Sequence, residues 1–424
     1  MEKLHLDLDG PDPRRGLSTM SRGLIGSEIL KIASEIRLKQ TAGEKIANFT
    51  VGDFSSKEFP IPDRLRDGVL RALAAGETNY PPSDGVLRLR EAVREFWGDR
   101  LQLDVPVESI LIAGGSRPVI YAAYRTLIEP GDVVVYPVPS WNNNHYCHLV
   151  GARGVALETR AEDGFLPTAA SLQPHLRTAR MIALCTPLNP AGTVLAPAEV
   201  HRITEAVVAE NRRRDKAAEK PLYLLYDQVY WMLCYGSARH ETPVRSLPEA
   251  ARYTVFVDGI SKAFAATGVR VGWCVGPKAV IAAMRDVLGH VGAWAPRAEQ
   301  VATAELLRDG PAVDAYLRVH KGGLQSRLDA LHAGFSRMAA AGLPVRDIPP
   351  QGAIYLSVQF KLRGRSNDEV RRYLLDEAGF AMVPFQAFGL AGEGGWFRLS
   401  VGAVSVRDVE EAMPRVETAL RKVL

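Results

Sequence analysis

Cysteine is scarce: Cys147, Cys185, Cys234 and Cys274 are the only four in 424 residues, far apart and with no Cys-x-x-Cys pair. That excludes a disulfide framework and a structural zinc site, and it fits a reducing cytoplasm. No stretch of about 18 apolar residues occurs, so no segment is expected to span a membrane. The first residues, Met1 to Asp7, lack the apolar core of a secretory signal. A strong charge of one sign is also missing. The 52 basic and 48 acidic residues leave a net +4, and the densest basic run, 211–216, reads as a solvated helix end or loop. A nucleic-acid partner is therefore not expected. Internal repeats and low-complexity tracts are absent as well.

What is present is ordinary globular material, 47% apolar and 24% charged, long enough for a large core and more than one domain. Residues 1–20 are polar and read as a loose arm. Residues 27–39 predict a helix with Ile29, Leu30, Ile32, Ala33 and Ile36 on one side. From about 90 to 275 short apolar runs alternate with helical patterns. The runs are Ser109–Ala113, Val133–Pro137, Met181–Thr186, Leu222–Asp227, Thr254–Asp258 and Val271–Gly276. Alternation of this kind predicts βαβ units and a mostly parallel sheet covered by helices, an α/β fold. Ligands on such sheets bind at the carboxyl ends of the strands. Beyond 298 the pattern changes: a long helical stretch over 298–340, then Ala353–Val358, a helix near 367–378, Trp396–Val401 and a final helix Val406–Val423. This predicts a smaller α+β domain, giving an arm and helix at 1–50, a large domain at 51–300 and a small domain at 301–424.

The strand ends carry the residues of interest. Lys262 follows the strand Thr254–Asp258 in Gly259-Ile260-Ser261-Lys262. Burial or nearby positive charge, such as Arg270, lowers a lysine pKa enough to make a Schiff-base nucleophile; a surface lysine is the alternative. Asp227 ends the apolar strand Leu222–Tyr226, with Tyr230 three residues on. An acid there suits a protonated heterocycle, and a helix cap equally well. Asn189 lies in the turn Pro187–Thr193, which also reads simply as a strand-to-helix loop. Gly114-Gly115-Ser116-Arg117-Pro118 leads from a strand into a helix, where exposed N–H groups and the helix dipole make a phosphate seat. Trp141 is either a stacking surface or a core residue. Arg398, in the apolar Phe397–Ser400, needs an anion, either a substrate carboxylate or a structural partner. His145, Cys147 and His148 lack the spacing of a zinc site, so no metal is expected.

Taken together, these pieces resemble the fold-type-I pyridoxal-phosphate (PLP) enzymes, specifically the class I/II aminotransferase family of the aspartate aminotransferase kind. The matching segments are 79–90 (Asn-Tyr-Pro-Pro-Ser-Asp-Gly-Val-Leu-Arg-Leu-Arg), Gly114–Ser116, Pro139–Trp141, Asn189–Thr193, Asp227–Tyr230, Ser261-Lys262 with Thr267–Trp273, and Phe397–Ser400. The resemblance implies a large domain with a mostly parallel seven-stranded sheet and a smaller α+β domain. It implies that Lys262 forms the Schiff base and moves the proton, Asp227 pairs with the pyridine nitrogen, and Tyr230 and Asn189 hold the ring hydroxyl. Trp141 would stack on the ring. Gly115, Ser116, Arg117, Ser261 and Arg270 would hold the phosphate. Tyr80 would reach the phosphate from a second subunit, making a homodimer. Arg398 would bind the substrate α-carboxylate, and Gly52 would line the substrate pocket, with Trp141 and Asn189 also near the substrate. Asn189-Pro190 is a candidate cis peptide. The chain departs from the family pattern at Gly259, where many relatives carry a hydroxyl residue, at Arg117-Pro118, and at Ala191.

The reaction so implied is transfer of an amino group between an L-amino acid and a 2-oxo acid. A PLP lyase, cyclising synthase or oxidase on the same fold, or a non-catalytic PLP-fold protein, is the alternative. Dicarboxylate donors usually need a second cation, for which His145, His290 and Arg297 are candidates, each read more readily as structural; Trp294 and Trp141 equally make an apolar or aromatic pocket.

Overall fold

The computed structural model describes residues 3–6, 8, 12, 14–26 and 28–423. Much of the expected N-terminal arm (Met1, Glu2, Asp7, Asp9, Gly10, Pro11, Pro13), Ser27 and the side chain of Leu30 lie outside the described residues.

Seven strands form the central sheet: β1 (Ile110–Ala113), β2 (Val133–Val138), β3 (Arg153–Glu158), β4 (Ala179–Cys185), β5 (Tyr223–Asp227), β6 (Thr254–Gly259) and β7 (Gly272–Val275). Their spatial order is β1-β7-β6-β5-β4-β2-β3. The pairs from β3 through β6 are parallel, and only β7 runs antiparallel to its neighbours. Inner strands are apolar on both faces because helices cover both. One face packs on the helix α2 (Leu87–Leu101) and its neighbours, the other on α3 (Ser116–Leu127). β3 has no counterpart among the sequence-based strands. It is one of the two edge strands and, unlike buried β1 at the other edge, is exposed or half-exposed along its length, so its sequence never needed a continuous apolar run.

The single helical stretch expected over 298–340 is two helices, α4 (Arg297–Arg308) and α5 (Gly310–Ala340). Asp309 breaks the run. Its side chain accepts from Ala312 N and caps α5, and Pro311 is tolerated in that first turn because its missing N–H would have no helical partner. The expected domain division at 300/301 falls inside α4, whose Ala302, Leu306 and Leu307 stay in the large core together with Val313 of α5. Further along α5, Leu324, Leu328, Leu331 and Phe335 belong to the small-domain core. The chain therefore changes domain within one continuous helix.

The small domain holds a four-stranded antiparallel sheet with β8 (Val345–Ile348), β9 (Tyr355–Phe360), β10 (Val383–Pro384) and β11 (Trp396–Ser400), backed by α6 (Asn367–Ala378) and α7 (Val406–Arg421). The N-terminal helix α1 (Glu28–Thr41) buries Ile32 and Ile36 against Leu375, Val383 and Phe385 of that domain, and Glu35 pairs with Arg371 at 2.9 Å.

Candidate active site

Parallel strands point their carboxyl ends to one edge, so the segments after β1, β2, β4, β5 and β6 meet there. They line a cavity of about 640 Å³ that β9, β11 and α1 close from the small-domain side. Of the residues singled out in the sequence, Gly52, Ser116, Arg117, Trp141, Asn189, Asp227, Tyr230, Ser261, Lys262, Arg270 and Arg398 all line it. Gly115 lies just beneath, and Tyr80 is elsewhere, 83% exposed with its ring edge on Trp294 at 5.2 Å.

The Lys262 amine donates to the Gly52 carbonyl at 2.7 Å. Burial pushes its pKa down to about 8; Asp53 opposes the shift, while Arg398, Arg117 and Arg270 add to it. The carboxylate of Asp227, at the last position of β5, accepts one hydrogen bond from the described residues, from Val229 N at 3.1 Å. Burial pushes its carboxyl up to about 6, against the Val229 bond and the Lys262 charge. The Tyr230 hydroxyl bonds Tyr355 at 2.7 Å.

Arg398 is 2% exposed. One nitrogen donates to Thr50 O at 2.6 Å and another to Asn189 Oδ1 at 3.2 Å, while Nε has no partner among the described residues. Its guanidinium lies 4.8 Å from the Tyr355 ring and 4.8 Å from the Phe388 ring. No carboxylate pairs with it among the described residues, so the structural ion pair weighed from sequence is absent, and a buried cation of this kind calls for an anionic ligand. A Cβ on Gly52 would stand 3.2 Å from the Tyr355 hydroxyl and 3.6 Å from Arg398 Nη1; glycine keeps that wall open.

At the opposite end Gly115, with φ +96, caps α3 without any side-chain hydrogen bond. The positive φ favours glycine here, and a Cβ would fall 2.3 Å from Arg270 Nη2 and displace that guanidinium. Arg270 donates to Thr267 O and Gly114 O at 2.7 and 2.8 Å. Gly259 is explained by the same close packing, since a Cβ there would meet Gly272 Cα at 2.9 Å.

Arg117 has no hydrogen bond or ion pair among the described residues; its guanidinium rests over the Trp141 ring at 5.2 Å. His145, His290 and Arg297, the candidates for a second cation, do not line this chain's own cavity, whereas Arg117 does. His290 is exposed, and Arg297 is paired with Glu77. Sequence reasoning also missed Tyr355, Thr50 and Asp53, whose partners lie hundreds of residues away or on another strand. Asn189-Pro190 is cis, as are Val138-Pro139 and Thr186-Pro187. Among the described residues no cluster could hold a metal ion, and no helix is long and apolar enough to cross a membrane.

These features fit pyridoxal phosphate on three independent counts. A bare helix N-terminus with Ser116, Ser261 and Arg270 around it suits a phosphate. A carboxylate with a single protein donor suits a ring N–H, and a softened lysine suits an aldehyde.

The family model for aminotransferase class I and II matches residues 44–416. An aspartate aminotransferase of Rhizobium meliloti is 29% identical over 406 residues, covering 93% of each chain. The aspartate/prephenate aminotransferase of Thermus thermophilus is 32% identical over 382 residues, covering 88% of this chain and 93% of the relative. The solved structure of Thermus thermophilus aspartate aminotransferase with maleate superposes with a TM-score of 0.86 at 26% identity, covering 96% of this chain and all of that one.

Proposed function

Because this chain belongs to the class I and II aminotransferase family and is a PLP-dependent aminotransferase acting between amino acids and 2-oxo acids, we propose that its amino donor is a dicarboxylic amino acid of the aspartate or glutamate type. The observation that carries this is Arg117, a cation in the cavity with no acidic partner among the described residues. With Arg398 it offers two separate cations, which suits an acid with two carboxylates. The similar Thermus thermophilus structure with maleate, itself a dicarboxylate, supports the same reading.

The bound cofactor supplies an electron sink for the charge left when the substrate Cα–H bond breaks. The rest falls to this chain's residues. Lys262 would anchor the cofactor, and its Nζ, freed by the donor amine, would take the substrate Cα proton and hold it for return. With a pKa lowered to about 8, a useful fraction is unprotonated near neutrality, as a general base requires. Asp227 keeps the ring nitrogen protonated. Tyr230 and Asn189 hold the ring oxygen, and Trp141 covers the ring. Ser116, Ser261 and Arg270 hold the phosphate, with the backbone of Gly115 beneath. Arg117, which the family resemblance assigns to the phosphate, serves here at the distal carboxylate. Arg398 orients the α-carboxylate through its Nη groups, one of which it shares with Asn189, and Gly52 beside them leaves room for the substrate.

Tyr80, exposed and outside its own cavity, supports a homodimer in which it completes the partner's phosphate site. Four free cysteines support residence in a reducing compartment such as the cytoplasm. A second reading, an aromatic or apolar donor, draws support from Ile29, Ala33 and Tyr146 along the same cavity. One experiment separates the two. The PLP-loaded protein is mixed with single amino donors and the loss of the cofactor's aldehyde-derived absorbance band is followed. Aspartate or glutamate should convert it fastest, and Arg117→Leu should raise their apparent KM about tenfold or more, the range for a charge-assisted pair, while sparing phenylalanine. Fastest conversion by phenylalanine would reverse the assignment.

A further inference from the structure

Resting on the assignment of Lys262 as the reacting amine, we propose that His320 is a positioning residue for it, holding the Lys262 backbone through a hydrogen bond from Nε2 to the Lys262 carbonyl. The two atoms are 3.1 Å apart, although 58 residues separate them. A carbonyl only accepts, so Nε2 carries the proton. Nδ1 is buried with no partner among the described residues, so a second proton would have nothing to bond, and the ring is held neutral. Burial, which pushes its pKa down to about 4, acts in the same sense.

The ring is 2% exposed and cannot turn away. Tyr316, one helical turn earlier, stacks on it at 5.3 Å and 22°, and is itself tied by its hydroxyl to Pro60 O at 2.9 Å. Phe59 meets it edge-on at 5.3 Å. Phe54 packs against it at 5.2 Å and also lies 5.8 Å from Lys262 Nζ. One wall of aromatic rings therefore contacts both the amine and the residue that holds its backbone.

The turn being held needs support. Among the described residues the only other hydrogen bond to the Lys262 carbonyl is a long one, 3.4 Å from Ala265 N. Ala265 sits at φ +49, a left-handed conformation that a residue with a Cβ rarely adopts. A lysine that must swing its amine between the cofactor and the substrate Cα does so reproducibly only if its backbone stays fixed. His320 also occupies the part of α5 between Val313 in the large core and Leu324 in the small core. The contact thus ties the reacting residue to the one helix shared by both domains.

The test compares His320→Gln, whose amide nitrogen can reach the carbonyl, with His320→Phe, which fills the space without a donor, and His320→Asn, which has a donor but falls short. In the holoenzyme, the Phe and Asn variants should lose about tenfold in half-reaction kcat with KM within about twofold of wild type, and Gln should recover most of the rate. In the cofactor-free protein, amide hydrogen exchange over residues 262–266 should quicken in Phe and Asn but not in Gln. If the Phe variant does not fold, the Gln and Asn pair carries the same comparison. Wild-type rates and exchange in Asn, or a Gln variant as slow as Asn, would overturn the proposal. Borohydride trapping separates it from its premise. No adduct on Lys262 in the wild type removes the premise, whereas trapped adducts in every variant with equal rates remove only the role of His320.

Discussion

Asp227 lies above the ordinary carboxylate range because burial strips water from its charge and one Val229 N–H returns only part of that hydration. Without cofactor, the folded chain holds a proton between pH 3.8 and about 6 that the unfolded chain has lost. Stability therefore falls as pH rises through that window, and a penalty of about 3 kcal/mol is fully present above it. Asp227→Asn should accordingly raise the melting temperature of cofactor-free protein at pH 7.5, with the gain vanishing below pH 4, while weakening cofactor binding. A variant that melts lower than wild type at pH 7.5 would contradict this account. Lys262 shows the mirror case. Its folded pKa of about 8 lies below the ordinary 10.5, so its penalty is present below pH 8 and is relieved as pH climbs toward 10.5. Lys262→Met should stabilise cofactor-free protein at pH 7, and melting curves at pH 7 and 10.5 should show that advantage shrinking. At both positions, groups needed for chemistry are kept at a cost to the fold.

At the scale of elements, the phosphate end rests on a stack of glycines. Gly259 of β6 opposes Gly272 of β7, and a Cβ on Gly272 would fall 2.5 Å from Gly115 C and 2.6 Å from Ser116 N. Three backbones are thus pressed together with no side chain between them, which sets the N-terminus of α3 directly on the sheet. The hydroxyl residue that many relatives carry at position 259 has no room here. Gly272→Ala must push α3 off β7. Overpacking of this kind costs about 1–3 kcal/mol, and a tilted helix should weaken cofactor binding further. Thermal unfolding of the cofactor-free protein and a cofactor titration measure the two effects; an unchanged cofactor Kd would mean that the seat does not depend on this stack.

For the whole molecule, the cavity belongs to neither domain alone. Lys262 and Asp227 come from the large-domain sheet, whereas Arg398 and Tyr355 come from the small one. Arg398 is fastened back to Thr50 and Asn189, so the site forms only when both cores are folded and apposed. The proposed homodimer, with Tyr80 completing the partner's site, extends the argument to two molecules. In a Tyr80→Ala subunit paired with a Lys262→Ala subunit, one site has both residues intact and the other has neither. Random exchange places half of the population in such heterodimers, so mixing should restore about a quarter of wild-type activity. Activity no higher than that of the separate parents would locate Tyr80 outside the partner's site.

The positions of the site residues were legible in the chain because their signals are local, while their chemistry came from the resemblance that the segments carry together. An apolar strand ending in Asp227, one followed by Ser261-Lys262, and glycines leading into a helix each mark a strand end within a few residues, though each alone also reads as ordinary structure. The α/β class followed from the same short-range periodicity. Contacts between distant segments left no such trace. Tyr355 reaches Tyr230 across 125 positions, Thr50 reaches Arg398 across 348, and His320 reaches Lys262 across 58. The edge strand β3, half in water, needed no apolar run, and the break at Asp309 is one polar side chain turning back to cap a helix. Periodicity reports which face of an element is buried, but which carbonyl or ring a side chain then meets is settled only when the two domains pack, and that packing gave Arg398 its partners, isolated Arg117 and set His320 behind the lysine.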